Sequence, residues 1–416
     1  MIAFYNLILN FLKPFLWLVI NFSSKGQIFI NKRKKTQFTT PLVSHIKKVI
    51  WLHGASVGEL DQCKAIAKVI KEEIPDCFIL QSVFSSSVSE KNLVSNYIDF
   101  AFYLPLDFQN NYDTIFQTFS PQILIIAAWD LWPNLVTTAK NNSCKVFLSC
   151  GTIYSGSGRL KNKFMKNLTS TTLNLLDGIS PANKSREILF KELTMNVEVY
   201  TCGDSRFDSV SEKIESMESN SSVFENLEYQ KVLILASTYT ECENIIFPIL
   251  DKIISEDYSI WIFPHKIDLV RINNIISKLK EYKLNYQLFS EIQNKDKSKI
   301  IIFDKYGILA YAYQKAKICY VGGGFHNRIH NTIEPAYFGL PICTGPKIFH
   351  APEGVDLNQL DLLTIIDNSN DFLNFVLENS FENEYLIKSE KIKKYVENNR
   401  GASKRFFEHF IRDVIQ

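Results

Sequence analysis

Val49-Ile50-Trp51-Leu52-His53-Gly54-Ala55-Ser56-Val57-Gly58-Glu59 runs from four large apolar residues into a turn with two glycines, and a helical pattern follows from Leu60. A short apolar run closed by a glycine turn reads as a strand buried on both faces, and the helix directly behind it as the first step of a parallel βα repeat. The alternation recurs. Strands are predicted at Val49–Leu52, Phe78–Val83, Phe100–Tyr103, Ile123–Ala127, Lys145–Ser149 and Val197–Thr201, then at Val232–Ala236, Ser259–Phe263, Ile300–Phe303, Lys317–Val321 and Pro341–Cys343. Between the two sets, Ser209–Glu228 is rich in Ser, Glu and Asn and is expected to be a linker. The expected fold is α/β, with two Rossmann-like domains facing a cleft.

Composition narrows the function. The 416 residues are 46% hydrophobic and 22% charged, which excludes a disordered chain; 46 Lys and Arg against 44 Asp and Glu leave +2, with no global basic field for nucleic acid. Eight cysteines without a C-x-x-C pair argue for reduced, buried thiols rather than a zinc ribbon or a disulfide framework. The asymmetry lies at the amino terminus, where Lys13 is the only charged side chain between Met1 and Phe22. That length is near the roughly 20 residues that span a bilayer. Asn6, Asn10, Lys13 and Asn21 fall near one helical stripe and Pro14 is placed to kink it, which favours a helix lying in the membrane interface over a span. Lys25 and Lys32-Arg33-Lys34-Lys35 behind it form a basic cluster suited to anionic lipid. A buried helix of the first domain is the competing reading. The expected segments are 1–35 (membrane-associated helix and basic stretch), 36–208 (first domain), 209–228 (linker), 229–385 (second domain) and 386–416 (terminal helices).

In parallel sheets ligands meet the carboxyl ends of strands, so the residues that follow each predicted strand carry the chemistry. Glu59 falls in the first turn of the helix after Leu52, where a carboxylate can act as a base toward a hydroxyl; Ser56-x-x-Glu59 is equally a capping box. Asp130 stands between Trp129 and Trp132, whose rings are expected to desolvate it and raise its pKa, unless it merely caps the next helix. Arg206, in Gly203-Asp204-Ser205-Arg206-Phe207-Asp208, either faces an anion or pairs with Asp208. In the second half, Ser237 and Thr238 offer hydroxyls to a phosphate, Pro264-His265-Lys266 presents a ring and a cation, and Tyr306-Gly307-Ile308 opens a further loop. Gly322-Gly323-Gly324 permits close approach of a ligand, with His330 and Asn331-Thr332-Ile333-Glu334 behind it; Glu334 is placed to receive ribose hydroxyls, or Asn331-x-x-Glu334 is capping alone. Five of the seven histidines, His53, His265, His326, His330 and His350, follow predicted strand ends.

The order of these motifs resembles the Kdo transferases, bacterial enzymes that move 3-deoxy-D-manno-octulosonic acid (Kdo) from CMP-Kdo onto a lipid A precursor. The resemblance runs through Trp51–Glu59, Tyr103–Asp107, Leu131-Trp132-Pro133-Asn134, Gly203–Asp208, Ala236-Ser237-Thr238, Pro264-His265, Gly322–Pro335 and Gly345-Pro346. It implies a GT-B glycosyltransferase fold, a membrane-associated amino-terminal helix on the cytoplasmic side of the inner membrane, and inverting transfer. Glu59 falls on the family's proton acceptor, Asp130 and Arg206 on positions that stabilise the transition state. The CMP-Kdo contacts fall on Ser237, Thr238, Pro264, His265, Tyr306, Gly307, Ile308, Gly323, Gly324 and His330 through Glu334. Four departures stand out: Ala128 and Asp130 replace the family's Glu-x-Glu, Arg206 stands where Lys is common, Pro264-His265-Lys266 stands where Pro-Arg-His is usual, and Ile308 replaces a glutamate. The chain has no Asp-x-Asp, so neither a catalytic metal nor a cofactor is expected. The alternatives are a transferase that uses a UDP-sugar and a lipid acceptor, a non-catalytic nucleotide-sugar or lipid-binding protein, and a sugar-nucleotide epimerase.

Overall fold

A computed structural model describes residues 1–34, 48–217, 224, 227, 229–292 and 298–415. They form two compact units, Met1–Ser209 together with Gly401–Gln416, and Val210–Arg400. The boundary falls inside one helix, Arg206–Glu215, so the segment read as a linker begins helical; 218–223, 225–226 and 228 lie outside the described residues.

The first unit is built on a six-stranded parallel sheet: β1 (Val49–Gly54), β2 (Phe78–Val83), β3 (Phe100–Tyr103), β4 (Ile123–Ala127), β5 (Lys145–Gly151) and β6 (Gly178–Pro181), in the order β3-β2-β1-β4-β5-β6. Alternate residues of β1 feed two cores. Val49 and Trp51 pack with Phe102, Phe116 and Leu135 on one face; Ile50 and Leu52 pack with Ile66, Ile125 and Phe147 on the other. Cover for the second face includes Phe406, Phe407, Phe410 and Ile411, so the last residues of the chain return to the first unit. The Val197–Thr201 prediction is corrected here: that stretch contributes only a bridge from Val199 to Ile179, and the sixth strand is Gly178–Pro181. Its Gly and Pro hid it from a propensity reading.

The second unit holds seven parallel strands, β7 (Lys231–Thr238), β8 (Tyr258–Pro264), β9 (Gln287–Leu288), β10 (Ile300–Ile302), β11 (Ile318–Val321), β12 (Ile342–Thr344) and β13 (Leu363–Ile365), ordered β13-β12-β11-β7-β8-β10-β9. The short edge strands β9 and β13 have no counterpart among the predictions. Both orders reverse direction beside the first strand of the unit, at β1/β4 and at β7/β11, and such switch points are where doubly wound sheets open a crevice for ligands. All eight cysteines are free and buried.

At the amino terminus, α1 (Ile2–Phe22) continues through Pro14, and α2 (Ser24–Lys34) follows. α1 is long and apolar enough to cross a membrane, and Leu7, Phe11, Phe15, Trp17 and Phe22 are exposed. Its polar residues, however, hold it to the first unit: Tyr5 donates to Asp107 (3.0 Å) and Asn6 accepts from Asn134 (2.6 Å). The basic cluster also faces inward in part. Arg33 donates to the carbonyls of Leu104 and Phe84 (both 2.6 Å) and lies over the Phe29 ring, while Lys32 donates to the Val88 carbonyl (2.6 Å). These two cations are taken up by carbonyls at the ends of β2 and β3 and in the loop that follows β2; Lys35 lies outside the described residues.

Candidate active site

β1 delivers His53 and Gly54 to the switch point, and α3 (Val57–Glu73) begins three residues later. Gly54 is required by packing, because a Cβ there would stand 2.9 Å from the Glu59 Cβ. The Glu59 carboxylate turns back to accept the N–H of Ala55. This is a shifted half of a capping box: Ser56 is the N-cap but its hydroxyl makes no capping bond. The bond fixes the carboxylate at the mouth of the sheet, on the positive end of a helix where its charge is favoured.

Asp130 is not a cap; Trp132 holds the N-cap position of the next helix, and Asp107 supplies the cap by accepting the N–H groups of Asn134 and Leu135 (both 3.0 Å). Asp130 instead meets His53 Nε2 at 2.9 Å, and His53 Nδ1 meets Ser82 Oγ at 2.8 Å, which in turn accepts the Trp51 indole N–H (2.7 Å). Since a carboxylate only accepts, Nε2 carries the proton. The expectation of a raised Asp130 pKa is overturned. Burial alone pushes it up, but the His53 hydrogen bond and charge, with the nearby Trp132 N–H and Arg159, outweigh burial and hold it below the ordinary value. Motif reading named His53 among the histidines at strand ends but gave it no role, although a lone histidine in an otherwise apolar strand was the visible signal. Arg159, which lies over the Trp129 ring at 5.1 Å, had no signal, because it comes from a short turn outside any motif.

Arg206 joins the same side of the unit through Asp204. Its Nε and a terminal nitrogen donate to Asp204 Oδ2 (2.9 and 2.6 Å), and Asp204 Oδ1 accepts from Gln62, one helical turn beyond Glu59 on α3. The Asp208 pairing considered for Arg206 is not formed, because Asp208 accepts the N–H groups of Gly401 (2.5 Å) and Ser403 (2.7 Å).

In the second unit the predicted residues gather around Tyr239. Its ring stacks on His265 (4.6 Å) and His326 (4.5 Å), and its hydroxyl meets His330 Nε2 at 3.1 Å. Burial, then the charges of His265, Arg328 and His326, push His330 down to about 4; burial and Lys266 lower His265 as well. Both imidazoles are neutral at pH 7, so His265 offers a hydrogen bond and the cation of this turn is Lys266. Thr238 is wholly buried and donates to Glu243 (2.9 Å), which Arg271 grips, so its hydroxyl braces the loop. The triple glycine is likewise taken up by the protein itself. A Cβ on Gly322 would sit 2.1 Å from the Ser237 carbonyl oxygen, on Gly323 2.1 Å from that of Arg328, and on Gly324 2.5 Å from that of Gly345. Gly307, by contrast, has no atom within 4 Å of an added Cβ; it lies beside exposed Tyr306, whose hydroxyl accepts the Ile267 N–H (3.3 Å) and ties that loop to the one carrying His265. Pro264, Ile308, Thr332 and Ile333 are buried. Asn331 accepts the Ile333 N–H (2.9 Å), and Glu334 accepts from Lys213 (2.6 Å). Among the described residues no three His, Cys, Asp or Glu side chains converge as metal ligands.

Residues 29–209 match the family model described as 3-deoxy-D-manno-octulosonic-acid transferase (kdotransferase). Over that segment the chain is similar to the Kdo transferases. A 3-deoxy-D-manno-octulosonic acid transferase from Chlamydophila psittaci (strain ATCC VR-125 / 6BC) is 24% identical over 75% of this chain and 72% of its own length. A bifunctional glycosyltransferase/methyltransferase from Fusobacterium nucleatum is 28% identical over 82% of the chain, which spans only 53% of that relative. For the fold alone, the structure of UDP-GlcNAc 2-epimerase from Neisseria meningitidis superposes with a TM-score of 0.65 at 14% identity, covering 88% of this chain and all of that one. The two doubly wound units are those of the GT-B class. Within the matched segment lie Glu59, His53, Asp130 and Arg206.

Proposed function

We propose that the protein transfers Kdo from CMP-Kdo to a hydroxyl of a lipid A precursor, at the cytoplasmic face of the inner membrane. The observation that carries the reading is Glu59, pinned by the Ala55 N–H at the β1 switch point inside the segment that matches the transferase family. In this mechanism Glu59 takes the proton of the acceptor hydroxyl as its oxygen attacks the anomeric carbon and CMP leaves, with inversion. Arg206 and the Asp130–His53 pair set the field around the developing charge. The second unit holds the nucleotide, with neutral His265 and His330 as hydrogen-bonding groups beside Tyr239. The exposed apolar residues of α1 support attachment to the membrane.

Full-length protein incubated with CMP-Kdo and a lipid A precursor is expected to give a mass shift of one or more Kdo units. Glu59→Gln, which keeps an acceptor for Ala55, should lower the rate about 10²–10⁴-fold. Near-normal transfer by that variant, or turnover of UDP-sugars in place of CMP-Kdo, would falsify the proposal.

A further inference from the structure

We propose that a groove between α1 and the helix Lys163–Leu173 binds a fatty acyl chain of the acceptor, with the polar head of that amphiphile toward Asp130 and Arg159. The assignment rests on the lipid-acceptor reading above and gives that acceptor a place on the first unit. The groove holds about 390 Å³. Ile8, Leu9 and Leu12 of α1 form one wall and Phe164, Met165 and Leu168 the other; the loop after β4 and Arg159 complete the lining.

The polar lining residues do not make the walls polar. Tyr5 donates to Asp107, Thr169 to the Arg159 carbonyl (3.2 Å) and Thr172 to the Leu168 carbonyl (2.9 Å), so none of these hydroxyl protons is left for a ligand. The charge is gathered on one side. Arg159 donates to the Leu131 carbonyl (3.1 Å), lies over Trp129 and acts electrostatically on Asp130, which stands between those two residues in the chain. An apolar slot with its cation and carboxylate collected beside the proposed reaction centre is complementary to an amphiphile.

Continuity with the outer face of α1 selects an acyl chain over a protein segment. Leu12 lines the groove and is itself 38% exposed, and the same helix exposes Leu7, Phe11 and Phe15 to the surroundings. A chain anchored in a lipid layer against those rings reaches the groove without leaving apolar contact.

The probe is a phospholipid with a diazirine at the end of one acyl chain, in phosphatidylcholine vesicles with the full-length protein. Photolabel is expected on the groove-lining side chains Leu9, Leu12, Met165 and Leu168, resolved residue by residue, and it should be lost in Leu9→Trp and Met165→Trp, which fill the groove from half-buried positions. Val94→Trp, on an exposed site elsewhere, serves as the control for labelling. Label confined to Phe11 and Phe15, unchanged in both groove variants, overturns the assignment. Should either variant fail to fold, the parent protein decides: KM for acceptors of increasing chain length is expected to fall about four-fold per methylene until the groove is full, and a flat dependence overturns the groove. Labelling needs no turnover, so labelled protein that transfers no sugar from CMP-Kdo would defeat the transfer reading and leave the groove standing.

Discussion

His53 shows how much one side chain decides. It is fully buried, bonded on both ring nitrogens, and converts Asp130 from a carboxyl that burial would raise into one held below the ordinary range. A depressed native pKa means that the stability Asp130 contributes is complete above the unfolded value, near pH 4, and is lost as pH falls through the native one. His53→Phe removes the counterweight and leaves the burial. The variant is expected to lose about 3 kcal/mol at neutral pH, and its loss of stability on acidification should begin at higher pH than in the parent. Urea unfolding across the acid range checks both; superimposable profiles would refute the role given to the pair. Sequence reading placed Asp130 correctly after β4 but erred on its charge, because the correcting partner comes from β1, far away in the chain and adjacent only once the strand order is known.

Among the elements, α1 is docked in part by one buried carboxylate. Asp107 accepts from Tyr5, Tyr112, Asn134 and Leu135, so it docks α1 and caps the helix Pro133–Asn141 together. Burial pushes its pKa up to about 6 against the four donors. A carboxyl raised in the native state favours folding most when protonated, so its contribution declines as pH rises from about 4 through 6. Asp107→Asn abolishes that decline between about pH 4 and 6, but leaves one acceptor oxygen for four donors and should cost about 2 kcal/mol at pH 5; thermal unfolding over the window reads both effects. The strands were legible to within a residue or two wherever the apolar run was continuous, as in Phe78–Val83 and Ile123–Ala127. Gly178–Pro181, Gln287–Leu288 and Leu363–Ile365 were not, because a short strand at the edge of a sheet needs few apolar residues of its own. The triple glycine was legible, but one reason for it was not: its missing side chains admit the neighbouring backbone of Ser237, Arg328 and Gly345, which no local pattern reveals.

For the whole molecule, the return of Gly401–Gln416 to the first unit is the feature that no domain count from sequence anticipated. Removing the chain after Arg400 would uncover the sheet face that Phe406, Phe407, Phe410 and Ile411 close, at about 2 kcal/mol for each side chain, a sum comparable to the stability of a typical domain. The truncated protein is expected to bind a hydrophobic dye and to lose cooperative unfolding of the first unit; a cooperative transition near the parent temperature would contradict this. The same arrangement sets an order on biosynthesis. The ribosome finishes β1 to β6 early, yet their last covering helices emerge only after all of Val210–Arg400 has been made, some 10–40 s later at about 5–20 residues per second. Throughout that interval the nascent chain carries an open hydrophobic face, and a chaperone or the nearby membrane has a target that disappears only once Gly401–Gln416 has emerged.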